Sequence, residues 1–130
     1  MVHGSFIWNE LMTPDVEKAK TFYGASLGWT FEPVHGAGAT TYWLAKMDGR
    51  PVAGIISHDA LPPGASTAWF AYINVDDVDV RAAALPALGG VLARPAFDVP
   101  GVGRIAIVRD ATGAMVGWLT PAMPDQPAAG

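Results

Sequence analysis

Apolar and polar positions along the chain fall into short runs that alternate between two periods. Phe6–Leu11 (FIWNEL) reads as a strand, with large apolar residues and period-two alternation. A helix should follow: Thr13 suits its N-cap, Pro14 its first turn, and Asp15 and Glu17 its positive dipole end. Val16, Ala19, Phe22 and Tyr23 recur at helical spacing as the apolar stripe, and Gly28 suits the stop. Trp29–Val34, Thr40–Met47 and Val52–His58 read as strands, with turns at Gly36-Ala37-Gly38 and Asp48-Gly49. Asp59–Ser66 (DALPPGAS) is a turn-rich connector.

The order then repeats. Thr67–Val75 is a predicted strand, Asp77–Leu88 a helix that Pro86 should kink or shorten, and Gly89-Gly90 its stop. Val91–Val99, Gly103–Arg109 and Ala114–Thr120 complete three more strands. An offset of 62 residues places Asp15-Val16-Glu17 on Asp77-Val78-Asp79, Trp8 on Phe70 and Leu11 on Ile73. The pattern is α+β: one module over residues 5–58, a second over 67–121, and a loose tail over 122–130 of a single 1–130 domain.

Composition narrows the function classes. With 51% hydrophobic and 15% charged residues, the chain is expected to be globular. A net charge of −4 argues against a nucleic-acid partner, which needs a basic face. No cysteine is present, which removes disulfides and thiolate metal sites. No apolar run reaches the ~20 residues of a membrane span, and Met1-Val2-His3-Gly4 does not open a secretory signal. A cytoplasmic protein with no membrane partner is expected.

Trp8-Asn9-Glu10-Leu11-Met12-Thr13-Pro14-Asp15, Phe22-Tyr23 before Leu27-Gly28-Trp29, Val75-Asp76-Asp77-Val78 and the D-x-x-G turn Asp110-Ala111-Thr112-Gly113 together resemble the vicinal oxygen chelate superfamily. That superfamily contains glyoxalase I, extradiol dioxygenases, fosfomycin-resistance enzymes and bleomycin-binding proteins. The resemblance implies two βαβββ modules forming paired half-barrels around a cleft, and commonly a homodimer. It also implies metal ligands on the first and last strand of each module in the metal-dependent members. Those positions fall here on Trp8 and Phe70, and near Gly54 and Gly117. Indole, phenyl and glycine supply no metal donor, so neither a metal nor another cofactor is expected.

By strand alternation, Trp8 and Glu10 share one face, as do Phe70, Tyr72 and Asn74. Gly54 and Gly117 would leave open volume opposite these aromatics, for a small-molecule site; the rings could instead fill the barrel as core. Glu10 in an apolar strand calls for a partner or a purpose. Arg50, Arg104 or Lys46 could pair with it; otherwise it could act as acid or base, or meet a cationic ligand beside the Trp8 indole. His58, at a strand end, could reach the rim of the site, whereas His3 and His35 fall in the N-terminal lead and a loop.

The leading expectation is a metal-independent protein that binds an aromatic or cyclic, neutral or cationic small molecule, in the manner of the bleomycin-binding proteins. A second is a metal-independent lyase, isomerase or hydroxylase-like enzyme using Glu10 as acid or base, with Tyr72 or Asn74 polarising a substrate oxygen. A third is a metal-dependent lyase or dioxygenase with displaced ligands such as Glu10 and His58.

Overall fold

The computed structural model describes residues 2–34, 41–57, 66–99 and 102–122. Its elements are β1 (Phe6–Thr13), α1 (Val16–Leu27), β2 (Thr30–Val34), β3 (Tyr42–Met47), β4 (Arg50–Ser57), β5 (Ala68–Asn74), α2 (Val78–Ala83), β6 (Val91–Val99), β7 (Gly103–Arg109) and β8 (Met115–Pro121). The order is βαβββ followed by βαβββ, as the repeat predicts. The chain divides into two compact units, Trp8–Phe70 and Met1–Ile7 with Ala71–Gly130. His35, the Gly36-Ala37-Gly38 turn, His58, most of the connector and all of the tail beyond Ala122 lie outside the described residues. None of the described helices is long and apolar enough to cross a membrane.

In the first unit the strand order is β2-β3-β4-β1, with β1 and β4 parallel and the hairpins antiparallel. Asp48 and Gly49 both take positive φ (53° and 77°), the geometry a tight two-residue hairpin turn needs. Helix α1 starts later than the sequence suggests. Asp15, not Thr13, is the N-cap and accepts from the Lys18 N–H at 3.0 Å. Thr13 ends β1 and accepts the Asp15 N–H at 3.2 Å, so the two residues divide the work of the turn. Gly28 closes the helix at φ 79°, donating to the Gly24 carbonyl at 3.1 Å.

Val16, Ala19 and Tyr23 of the expected stripe on α1 are half-buried, but Phe22 is 61% exposed and Lys20 takes its place on the side facing the sheet. Tyr23 stacks on Trp29 at 5.0 Å between centroids, and Trp69 donates to its hydroxyl at 3.1 Å. Lys20 Nζ sits 3.4 Å from the centroid of the Trp43 ring and 3.2 Å from Glu17. One residue turns the helix by about 100°, so Phe22 lies on the flank of a stripe centred on Val16, Lys20 and Tyr23. Lys20→Ala is expected to cost about 1 kcal/mol in urea unfolding, because it removes the cation over the Trp43 ring together with the stem packed beside it; Lys20→Arg should retain most of it.

The second unit repeats this plan with strand order β5-β8-β7-β6 and β5 parallel to β8. Asp77 caps α2, accepting from Asp79 and Val80. The helix ends at Ala83 and a single 3-10 turn, Pro86–Leu88, follows. Pro86 has no N–H to continue an α-helix, so the predicted helix is shortened and not bent. Val75, Val78, Leu85, Ala106 and Val108 form the buried core, with Ile73, Val116 and Trp118 packed against it. Asp110 accepts from the Thr112 hydroxyl and from the Thr112 and Ala114 N–H groups, which fixes the D-x-x-G turn. Those bonds hold its carboxyl below the usual carboxylate range.

Candidate functional site

Register decides which side chains of the first unit meet. Leu11 lies beside Ile55, and Ile55 beside Trp43; this row shares the face that carries α1, since Lys20 covers Trp43. Leu11, Ala45, Ala53 and Ile55 are buried there. The next row, Glu10 beside Gly54 beside Leu44, therefore turns to the face opposite α1. Trp8, Glu10 and Gly54 share that face, as alternation predicts.

Tyr42, which no sequence pattern singles out, is central to this face. Gly54 leaves room on the face, and the Tyr42 phenol fills it: a Cβ built at Gly54 would overlap the Tyr42 hydroxyl and ring. The volume assigned to a ligand opposite Trp8 is thus occupied by a side chain of the protein itself. Trp8 Nε1–H donates to the Tyr42 hydroxyl at 2.9 Å, and that hydroxyl donates to the Glu10 carboxylate. Burial, then the Glu10 charge, push the phenol well above its ordinary value near 10. A signal was present in the sequence: a glycine within an otherwise apolar strand marks close approach of another group.

Glu10 is thus partnered by a phenol. Of the cations weighed for it, Lys46 pairs with Glu32 at 2.7 Å and Arg104 with Asp79 at 2.8 Å and Asp98 at 3.1 Å. Phe70 is half-buried within the first unit. Tyr72, Asn74 and Gly117 belong to the second unit, where Tyr72 lies beside Gly117 in the parallel β5–β8 pair. This matches the Glu10–Gly54 pairing of the first unit. Tyr72 and Asn74 are buried, and the Asn74 backbone bonds to Gly4 and Ser5. By strand register the counterparts of Glu10 and Tyr42 in the second unit are Tyr72 and Ile105, so neither position there carries a carboxylate. His3 accepts the Asp76 N–H through Nδ1 at 3.0 Å, at an exposed corner of the second unit.

The metal positions implied by the resemblance do not fit a divalent ion. Trp8 and Phe70 offer aromatic carbon, and Gly54 and Gly117 offer no side chain. Among the described residues no three His, Asp or Glu side chains gather. Two surface depressions of the first unit lie elsewhere, one by Pro14, Lys18, Phe22 and Thr67 and one at the Asp48 hairpin.

Comparison with known proteins agrees with this architecture. Residues 5–37 match the family described as bleomycin resistance protein-like N-terminal. The chain is 39% identical over 120 residues to CFP32 of Mycobacterium tuberculosis, a provisional glyoxylase, covering 92% of this chain and 45% of that protein. It is 31% identical over 123 residues to the anthracycline biosynthesis protein DnrV of Streptomyces peucetius, covering 85% and 45%. It therefore spans less than half the length of either. A glyoxylase-like domain-containing protein of Didymella fabae is 32% identical over 94 residues, covering 69% of this chain and 72% of that one. Among solved structures, methylmalonyl-CoA epimerase from Mycobacterium tuberculosis shares the fold, with a TM-score of 0.61 at 17% identity over 95% of this chain and 94% of that one. By its doubled βαβββ architecture and by these relatives, the chain belongs to the vicinal oxygen chelate superfamily of glyoxalases and bleomycin resistance proteins.

Proposed function

We propose that this protein binds a small cyclic organic molecule on the face of its first unit opposite α1, through Trp8, Tyr42 and Glu10, without a metal ion. The observation that carries this reading is the hydrogen-bonded chain from the indole through the phenol to the carboxylate. Such a chain fixes three chemically distinct groups on strands, and rigid strands hold a recognition surface better than loops do. The indole presents a flat face for stacking, and the pair beside it gives orientation. DnrV, a relative named for anthracycline biosynthesis, supports a cyclic ligand.

The test is a screen of planar cyclic fragments against the intact chain by two-dimensional NMR, reading the Trp8 Nε1–H resonance. Binding should move that resonance saturably and should be unchanged by a chelator. A screen in which no fragment moves it, or in which chelator abolishes every shift, overturns the proposal.

The Glu10–Tyr42 contact also favours a second reading, in which Glu10 removes a proton from a bound substrate while the phenol orients it. Tyr42 then takes the part the sequence suggested for Tyr72 or Asn74. Glu10→Gln should in that case abolish turnover while leaving affinity largely intact. Retained turnover would rule the base out.

A further inference from the structure

We propose that His3 is a pH-operated clasp between the N-terminal lead and the start of α2. Neutral, its imidazole accepts the Asp76 N–H; protonated, it gives up that bond and turns to the Asp76 carboxylate, opening the corner. Every group involved belongs to the second unit, so the clasp is independent of the binding face proposed above.

The lead is shaped to present this ring. Ser5 donates to the Val2 carbonyl through its backbone N–H at 3.1 Å and its hydroxyl at 2.7 Å, closing a four-residue turn that carries His3. Gly4 takes φ 89° within it, a conformation that such turns assign to glycine. Gly4 then donates to the Asn74 carbonyl at 2.7 Å, and Asn74 to the Ser5 carbonyl at 2.8 Å. The base of the turn is thereby fixed to the end of β5. At its tip, Nδ1 of His3 accepts the Asp76 N–H at 3.0 Å. An imidazole nitrogen accepts only while it carries no proton, so the hydrogen of neutral His3 sits on Nε2.

Protonation reverses the polarity of this contact. An Nδ1–H would point at another N–H, donor against donor, and the bond is lost. The charged groups at the corner then direct the ring. Oδ1 of the Asp76 carboxylate lies 3.6 Å from Nδ1. Arg81 of α2 grips both oxygens of that carboxylate, at 2.9 and 2.8 Å, and the Asp77 N–H donates to Oδ1 at 2.7 Å. Arg81 foremost holds the Asp76 carboxyl well below the usual carboxylate range, so it stays ionised while an imidazole gains its proton. The carboxylate of Asp77 is turned to the first N–H groups of α2. Among the described residues, Asp76 is the anion that His3 faces. Histidine is also the side chain whose ordinary charge change falls between pH 5 and 8.

Amide NMR of the full chain between pH 7.5 and 5 provides the test. The Asp76 N–H signal should move with the same midpoint as the His3 ring protons. Its protection from solvent exchange, corrected for the intrinsic rate, should fall about three- to tenfold, the equivalent of one hydrogen bond. The Gly4 and Asn74 N–H groups, which donate to backbone carbonyls, should keep their protection. His3→Asn supplies an oxygen that does not titrate at the same reach as Nδ1, and the response of Asp76 to pH should disappear. The nitrogen spectrum of His3 at pH 7.5 should show the proton on Nε2. An Asp76 signal that does not follow His3, a response that survives His3→Asn, or a neutral ring protonated on Nδ1 overturns the clasp. Loss of protection at Gly4 and Asn74 together with Asp76 would mean that the whole lead melts, and overturns the exchange of partners as well.

Discussion

Gly54→Ala is expected to destabilise the protein by about 1–3 kcal/mol, the usual cost of forcing extra carbon into a filled space. The added Cβ meets the hydroxyl and two ring carbons of Tyr42. A phenyl ring cannot flex away from such an overlap as the tip of a lysine can; the whole side chain must rotate out. That rotation breaks the Trp8–Tyr42 bond at 2.9 Å and separates the phenol from Glu10. Urea unfolding measures the cost, and loss of near-ultraviolet circular dichroism should report the freed aromatics. A double-mutant cycle isolates the cause: in a Tyr42→Ala background the same glycine substitution should cost much less. An undiminished cost in that background would place the strain elsewhere on β4.

Tyr42→Phe is expected to cost a similar amount at neutral pH, about 1–3 kcal/mol, since it strips the acceptor of a half-buried indole N–H and a donor from Glu10. Its signature is the alkaline limb. The phenol of the folded protein keeps its proton above the ordinary value near 10, whereas the unfolded chain releases it there. Above that pH the unfolded state binds fewer protons than the folded one, so stability falls as pH rises. The contribution is complete below pH 10 and is lost progressively between there and the raised native value, by at most ~1.4 kcal/mol per pH unit. The wild-type and Tyr42→Phe stability curves should therefore converge at high pH. Subtracting the two phenolate absorbance titrations isolates Tyr42, which should ionise later than a free tyrosine. Parallel stability curves, or an ordinary titration, would contradict the desolvated phenol.

Local chemistry explains which parts of the structure were legible in advance. Asp48-Gly49 turns because two consecutive residues tolerate positive φ, and Asp110-x-x-Gly113 turns because one carboxylate reaches its own neighbours' N–H groups. Pro86 shortens its helix for want of an N–H. Each of these is complete within a few residues, so it could be read from the chain, and the 62-residue repeat doubled the number of such signals. The face shared by Trp8 and Glu10 was also accessible, because strand alternation is a local property.

The site itself was legible only in halves. Trp8 and Glu10 stand out in the sequence, but Lys46 and Arg104, the cations it offers to Glu10, hold other carboxylates. Thr13 and Phe22 missed their roles by a residue or two, within the reach of competing caps and of one helical step. Tyr42 is 34 residues from Trp8 and is separated from Gly54 by a hairpin. Nothing in either neighbourhood states that the parallel pairing of β1 with β4 will set Glu10 beside Gly54. Turns, caps and alternation act over a few residues, so the elements, their duplicated order and the faces of the strands are written in the chain itself. Tertiary structure alone decided that Tyr42 fills the space of Gly54 and joins Trp8 to Glu10, because strand register is a contact between distant segments and one step of slip would exchange the two faces.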